Sequence, residues 1–273
     1  MRMLIETLDI SPGMTISLVG AGGKTSLMLA LAWEALERWG SALITTTTKI
    51  YQPRPGDFPP LSRGAPQSRV PPGTLVREAK SLEEALRLLA PLEREKGGGS
   101  LFTLGRKPRR QPGKISGVPP GWVDEINRRL PGVVMVVEAD GAAHRALKAP
   151  APHEPVIPAS CRLVLAVAGM DALGKPLDHF LVHRPAAVSA LTGAVPGEPV
   201  TPGMMATALW HSEGCGRGRP PASRLVPVLN KVDDTDRLEA AREVAHLLMA
   251  KGAPLVLLTS CLWWPIVVEA VNP

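Results

Sequence analysis

A run of small residues followed by Lys and Thr is the first feature of this chain that could do chemistry. The residues concerned are Gly20, Ala21, Gly22, Gly23, Lys24, Thr25 and Ser26. An apolar run precedes them and a helical pattern follows, which predicts a strand, a glycine turn and a helix. Backbone N–H groups of such a turn and of the helix start bind anions. Lys24 would contact the terminal phosphates of a nucleotide, and the Thr25 hydroxyl would bind Mg²⁺.

The spacing of this loop differs from the usual Walker A pattern, G-x-x-x-x-G-K-[ST], whose first glycine would fall on Leu18. The match is the shorter G-x-x-G-K-T from Gly20 to Thr25, a spacing found in Mur-ligase-like ATPases. Two alternatives are a plain glycine-rich turn and a Rossmann fingerprint, in which Thr25 stands where the third glycine belongs. Lys24 and Thr25 at the helix start favour nucleotide phosphates.

Two later stretches carry oxygen groups suited to Mg²⁺. The apolar run Gly132–Val137 predicts a buried strand, and Glu138 and Asp140 follow it, where a Walker B acid would lie. Either carboxylate would hold Mg²⁺ through water or orient a nucleophile, so both are catalytic candidates together with Lys24. A second predicted strand, Ser41–Ile50, contains four consecutive threonines, of which Thr46 and Thr47 are candidate metal ligands. The alternatives are a surface turn and a polar strand end.

The tetrapeptide N-K-x-D follows another predicted strand, Leu225–Leu229, and is formed by Asn230, Lys231, Val232 and Asp233. In GTP-binding proteins this motif binds guanine. The Asp accepts two hydrogen bonds from the base, the Asn ties the base loop to the phosphate loop, and the Lys stem covers the base plane. Adenine presents neither donor in that geometry, so the motif favours GTP over ATP. Ser260, after a last predicted strand, occupies the position of a second base-contacting loop.

The order of these motifs predicts an α/β fold with a doubly wound, mainly parallel sheet and helices on both faces. A P-loop NTPase-like, G-domain-like scaffold has this order. We expect a single domain over residues 1–273, with a Pro/Gly/Arg-rich excursion at about 52–121. That excursion includes a basic loop, Gly105–Gly117, which is either a solvated loop or a lid for an anionic ligand.

Composition limits the classes of function. The chain has 273 residues, 45% hydrophobic and 21% charged, which is sufficient for a full core. Its net charge of +6 and its single Tyr and three Phe do not favour a nucleic-acid partner. Three widely spaced cysteines predict no disulfide framework and hence a cytoplasmic protein, and no apolar run is long enough to predict a membrane span.

A histidine pair offers a further alternative. His179 and His183 would share one face if Asp178–Arg184 were helical, a spacing that metal ligands also use. No nearby Cys or Glu completes such a site, so surface histidines are the simpler interpretation, although metal insertion remains an alternative role.

With these motifs in place, the chain resembles the YqeC-type accessory proteins linked to selenium-dependent molybdenum hydroxylases. The segments that carry the resemblance are VGAGGKTSL (Val19–Leu27), TTTTKI (Thr45–Ile50), VEADGA (Val137–Ala142), LKAPAPHEPVIP (Leu147–Pro158), Gly174–Arg184 and NKVD. The resemblance implies a cytoplasmic, nucleotide-dependent role in maturing such hydroxylases.

The resemblance also suggests partners. A hydroxylase apoprotein and its anionic, molybdopterin-type cofactor become candidates. Residues that would contact such a substrate or effector are Arg145, Lys148, His153, Glu154 and Lys114. The expected ligands are therefore Mg²⁺ and GTP, or less favoured ATP, with hydrolysis of the nucleotide. The alternatives are an ATP-dependent ligase or kinase acting on a small molecule, and a non-catalytic cofactor-binding chaperone.

Overall fold

A nine-stranded sheet runs through the protein in the computed structural model, which describes residues 3–53, 74–94, 100–106 and 113–273. In spatial order its strands are β13 (Val267–Val271), β12 (Val256–Thr259), β11 (Arg224–Asn230), β9 (Cys161–Gly169), β1 (Thr15–Gly20), β7 (Val134–Glu138), β2 (Ser41–Thr46), β5 (Ser100–Gly105) and β4 (Thr74–Glu78). Neighbouring strands are parallel except for β13, which pairs antiparallel with β12. Two small sheets accompany it, β3 (Lys49–Tyr51) with β6 (Lys114–Ser116), and β8 (Leu147–Lys148) with β10 (Val182–His183).

Helices cover both faces of the large sheet, as predicted. They are α1 (Leu4–Thr7), α2 (Lys24–Trp39), α3 (Leu82–Leu89), α4 (Pro91–Arg94), α5 (Pro120–Arg129), α6 (Pro185–Thr192), α7 (Pro202–Trp210) and α8 (Thr235–Ala250). One core packs α1 and α2 on one face, and two further clusters pack α3, α5, α7 and α8 on the other. Because helices cover both faces of the sheet, every residue of β1 and β7 is buried and β7 is almost wholly apolar.

The chain order of the strands creates a switch point at the centre of the sheet. From β1 the chain proceeds to β2 on one side, returns to form β7 beside β1, and then builds β9, β11 and β12 on the other side. The carboxyl ends of β7, β1 and β9 therefore lie next to one another where the strand order reverses. In open α/β sheets this crevice is the place where ligands bind.

Some predicted elements differ from the observed ones. The predicted strand Ser41–Ile50 is divided, because Thr46 Oγ1 accepts the N–H of Thr48 in a bend and Lys49–Tyr51 pairs with β6 instead. The expected excursion at about 52–121 contributes β4 and β5 to one edge of the central sheet. Its residues 54–73, 95–99 and 107–112, which include Lys107, Arg109 and Arg110 of the basic loop, lie outside the described residues.

The histidine pair does not lie on a helix. His183 ends the two-residue strand β10, and α6 begins only at Pro185, so helical i, i+4 spacing does not apply. His179 stacks instead against Phe180, with ring centroids 4.3 Å apart. In the described part of the chain, no three His, Cys, Asp or Glu side chains are grouped to hold a metal ion. Within those same residues, no helix has the length and apolar character needed to cross a membrane.

Candidate functional site

The loop after β1 adopts a backbone conformation that requires glycine. Gly20, Gly22 and Gly23 have φ angles of 90°, 79° and 121°. A Cβ on Gly22 would lie 2.1 Å from the backbone nitrogen of Gly169, because the loop passes directly over the end of β9. The loop is therefore fixed by close backbone contact with the neighbouring strand.

The first three N–H groups of this loop are used within the protein. Gly20 donates to Asp140 Oδ2 at 3.0 Å, Ala21 to the Val167 carbonyl at 2.8 Å, and Gly22 to the Arg145 carbonyl at 2.9 Å. The sequence predicted that these N–H groups would face an anion. The structure instead uses them to anchor the loop to β9 and to the segment after β7.

The start of α2 carries the remaining donors of the loop. Gly23 is the N-cap residue, and no side chain caps this end of the helix within the described residues. By helical geometry the N–H groups of Lys24, Thr25 and Ser26 have no partner inside α2. They lie at the positive end of a 16-residue helix, which is a favourable position for an anionic group.

Lys24 is turned inward between the loop and the acids that follow β7. Its Nζ donates to the Gly20 carbonyl at 2.7 Å and lies 3.1 Å from Asp140 Oδ1 and 3.8 Å from Glu138 Oε1. Desolvation opposes the charge of Lys24, but attraction by Asp140 and Glu138 outweighs it and raises the pKa of Lys24 above its ordinary value. The lysine is therefore charged and paired with two carboxylates.

Thr25 joins the loop to the same acids. Its hydroxyl donates to Glu138 Oε2 at 3.1 Å. Burial raises the pKa of Glu138 and is only partly opposed by Lys24 and Thr25. Asp140 is 1% exposed, and its Oδ1 has no hydrogen-bond partner among the described residues. These hydroxyl and carboxylate oxygens are the hard ligands that Mg²⁺ prefers, so the residues present fit the metal that the sequence predicted.

The threonines that end β2 lie beside these acids but make different contacts. Thr46 Oγ1 donates to the backbone carbonyl of Glu138 at 2.7 Å. Thr47 Oγ1 donates to the Val156 carbonyl at 2.8 Å, so it contacts the segment Leu147–Pro158. These two hydrogen bonds join the end of β2 to the end of β7 and to the segment Leu147–Pro158, at the carboxyl ends of the strands.

A second group of charges adjoins Asp140. Lys148 Nζ lies 2.9 Å from Asp140 Oδ2 and 2.8 Å from Glu154 Oε2, and donates to the Gly141 carbonyl at 2.7 Å. Arg184 pairs with Glu154 at 2.7 Å. Burial alone would raise the pKa of Glu154, but hydrogen bonds from Arg184 and Lys148 outweigh it and lower that pKa to about 2. Because its side chain is 0% exposed, Lys148 faces these acids rather than an open ligand surface.

The other residues expected to contact a substrate or effector do not join this buried group. Arg145 meets the loop through its backbone carbonyl, and His153 is exposed. Lys114 lies on β6, with its Nζ 4.6 Å from the centroid of the Tyr51 ring.

Asn230 connects the end of β11 to the glycine loop after β1. Its Nδ2 donates to the Gly22 carbonyl at 2.8 Å, and its Oδ1 accepts the Thr259 hydroxyl at 3.0 Å. A Cβ on Gly23 would lie 2.1 Å from the same amide nitrogen. The N-K-x-D motif therefore packs directly on the loop, although the two are more than 200 positions apart in the chain.

Asp233 lies near Ser260 at the same edge of the sheet. Asp233 Oδ1 accepts the Ser260 hydroxyl at 2.7 Å, and Oδ2 accepts Arg237 Nη1 at 3.0 Å. Lys231 has a φ of 65° and pairs with Asp171 at 2.6 Å. The sequence singled out neither Arg237 nor Asp171. Arg237 lies at the start of α8, four residues after Asp233. This i, i+4 spacing was the one feature of the sequence that could have predicted their ion pair.

The fold and the site define a class of α/β protein. It has a large, mainly parallel sheet, and a glycine loop, two acids and an N-K-x-D motif meet at the carboxyl ends of its strands. The family model described as YqeC protein matches residues 16–186. An Escherichia coli K12 relative named uncharacterized protein YqeC is 31% identical over 230 residues, which are 84% of this chain and 80% of the relative. The chain belongs to the YqeC family.

Proposed function

We propose that this protein binds a nucleoside triphosphate with Mg²⁺ at the carboxyl edge of the sheet, in the manner of a P-loop NTPase, and that it prefers GTP to ATP. The observation that carries the proposal is the meeting of three motifs distant in sequence. Gly22 contacts Asn230, and Lys24 contacts Asp140, so the phosphate, acidic and base-reading motifs occupy one edge.

The phosphate half of the site is formed by the start of α2. The N–H groups of Lys24, Thr25 and Ser26 and the helix dipole attract the phosphates. Thr25, Glu138 and Asp140 would hold the Mg²⁺, which neutralises charge on the phosphates when bound. Lys24 adds a positive charge that reaches the terminal phosphates. The support for this assignment is the buried Asp140 Oδ1, which has no hydrogen-bond partner in the described part of the chain.

The base half of the site is formed by Asn230, Asp233 and Ser260. The Asp233 carboxylate is held from one side by Ser260 and from the other by Arg237. A carboxylate has about four acceptor positions, so two remain for the ring N–H and exocyclic amine of guanine. Adenine offers no such pair of donors, and an acceptor that a bound base shields from water without pairing costs about 1–3 kcal/mol. This chemistry supports the preference for GTP.

Hydrolysis of the bound nucleotide is the reaction we propose. Phosphoryl transfer requires positioning and electrostatic stabilisation more than covalent chemistry from the protein. Lys24 stabilises negative charge that develops on the phosphates, and Glu138 or Asp140 orients the attacking water. The raised pKa of Glu138, caused by burial, suits that carboxyl to hold a proton.

The biological role we propose follows from the YqeC-type resemblance. Nucleotide binding and hydrolysis would drive maturation of selenium-dependent molybdenum hydroxylases in the cytoplasm, with the hydroxylase apoprotein and its anionic cofactor as partners. A Lys24→Ala variant that still supports hydroxylase maturation would favour a cofactor-binding chaperone instead.

A second candidate function is an ATP-dependent ligase or kinase that acts on a small molecule. The shortened G-x-x-G-K-T spacing favours it, because that spacing occurs in Mur-ligase-like ATPases. This alternative predicts phosphate or ADP release only when the second substrate is present.

The proposal is tested by calorimetric titration of the purified protein with GTP and with ATP, each with Mg²⁺. We expect tighter binding of GTP and loss of binding in Lys24→Ala. Lys251→Ala, at the exposed lysine that directly follows α8, is the matched control and should bind like the unmodified protein. Equal affinity for the two nucleotides would refute the base-reading role of Asp233, and absence of binding would refute the nucleotide site.

A further inference from the structure

The carboxylate of Asp140 is held between two buried lysines. Its Oδ1 lies 3.1 Å from Lys24 Nζ, and its Oδ2 lies 2.9 Å from Lys148 Nζ. The three side chains are 1%, 4% and 0% exposed, respectively. Asp140 also accepts the N–H of Gly20 through Oδ2. One buried acid thus connects the phosphate loop to the segment that begins at Leu147.

The ammonium group of Lys24 is held on three sides in this arrangement. It donates to the Gly20 carbonyl at 2.7 Å and forms ion pairs with Asp140 at 3.1 Å and Glu138 at 3.8 Å. If Lys24 binds a phosphate, as the proposed function requires, it has to give up at least one of these contacts. The contact with Asp140 is the shorter of its two contacts with carboxylates.

A buried carboxylate that loses its counter-ion becomes costly. Removal of one partner from a buried ion pair strongly destabilises a protein, because a charge is left uncompensated. Asp140 therefore needs a cation that is already in place when Lys24 moves and before the Mg²⁺ of the nucleotide is bound. Lys148 meets this requirement, since its own contacts with Gly141 and Glu154 do not involve the phosphate loop.

We propose that Lys148 is a positioning residue for nucleotide binding: it keeps Asp140 neutralised and directed at the phosphate loop when Lys24 leaves that carboxylate for a phosphate. This inference rests on the function proposed above and extends it to a residue that has no exposed surface of its own. Lys148 acts through Asp140 and does not touch the nucleotide.

A purely structural role for Lys148 makes a different prediction. Lys148 also pairs with Glu154, which pairs in turn with Arg184, and these contacts fasten the segment Leu147–Pro158. If that were its whole contribution, its loss would weaken binding to the same extent whether or not residue 140 is charged.

The test is a double-mutant cycle in the affinity for GTP with Mg²⁺, measured by calorimetry. We expect Lys148→Met to weaken binding by about tenfold or more in the unmodified background, but by less than about threefold in Asp140→Asn, where no charge is left uncompensated. Lys148→Arg keeps the cation and should restore most of the affinity. Arg184→Gln breaks only the outer ion pair and should change affinity by less than about twofold.

Thermal unfolding of each variant without nucleotide identifies any that do not fold. If Lys148→Met does not fold, the comparison of Lys148→Gln with Lys148→Arg replaces it, with the same expected ranking. Equal losses in both backgrounds would overturn the inference and leave the proposed function standing. No binding of GTP by the unmodified protein would overturn both.

Discussion

The side-chain amide of Asn230 donates a hydrogen bond of 2.8 Å to the backbone carbonyl of Gly22. This bond joins the end of β11 to the loop after β1, with β9 lying between the two strands. It fixes the loop on the side away from Asp140, which holds the loop through the N–H of Gly20. The loop is therefore held from opposite sides of β1, by the end of β11 and by the segment after β7.

Removal of the Asn230 hydrogen bond should weaken nucleotide binding. We expect Asn230→Ala to lower GTP affinity about tenfold, because the loop loses an anchor and the Thr259 hydroxyl loses its acceptor. Calorimetry measures the affinity. Asn127→Ala is the matched control, since Asn127 also donates to a glycine carbonyl, that of Gly13 at 2.7 Å, before the start of β1. Similar losses of affinity in both variants would contradict a specific role for Asn230.

The close contact of Gly22 with Gly169 gives a second prediction. Gly22→Ala should destabilise the fold clearly more than the ~1–2 kcal/mol that a left-handed conformation costs a non-glycine residue, because its Cβ also meets backbone. Gly193→Ala is the control, since Gly193 has a φ of 76° and open space around its Cβ position. Urea unfolding measures both. Equal destabilisation would show that φ strain alone determines the cost.

The buried carboxyl of Glu34 should make the free energy of unfolding depend on pH. It is buried on α2, where it accepts the N–H of Ile5 at 2.9 Å. Desolvation, only partly offset by that hydrogen bond, raises its pKa from 4.5 to about 7. The folded carboxyl therefore binds its proton more tightly than the unfolded one. Its contribution to stability is present below pH 4.5 and is lost as pH rises through about 7.

Glu34→Gln should remove this dependence. Between pH 4.5 and about 7 the unfolding free energy of the unmodified protein should lose about 3 kcal/mol from this group. The variant should lack that fall in urea unfolding measured across the window. Glu37→Gln, at an exposed site on the same helix, should keep it. An unchanged slope in Glu34→Gln would contradict the assignment.

The sequence predicted the parts of the site that depend on local pattern. The loop, the acids after β7 and the N-K-x-D motif each follow an apolar strand, so parallel pairing brings them to one edge. Pattern alone did not reveal that the N–H groups of Gly20, Ala21 and Gly22 anchor the loop, because their acceptors lie far away in the chain.

Ion pairs between distant segments of the chain could likewise not be predicted from the sequence. Lys148 was predicted as a residue for an anionic ligand, and it is instead buried against Asp140 and Glu154. Only the sheet topology, which places the segment around Lys148 beside the end of β7, explains why a lysine there is needed to balance buried acids.

The central claim is that Asp233 recognises guanine at the carboxyl edge of the sheet. A change in which base the protein prefers tests this claim most directly. Asp233→Asn replaces one acceptor by an N–H donor, which fits the 2-oxo group of xanthine and not the 2-amino group of guanine. We expect calorimetry to show GTP affinity reduced about 100-fold or more and a gain of affinity for xanthosine triphosphate. Asp234→Asn, at the neighbouring exposed N-cap of α8, should keep the preference for GTP. Unchanged GTP affinity in Asp233→Asn, with no gain for the xanthine nucleotide, would contradict the claim.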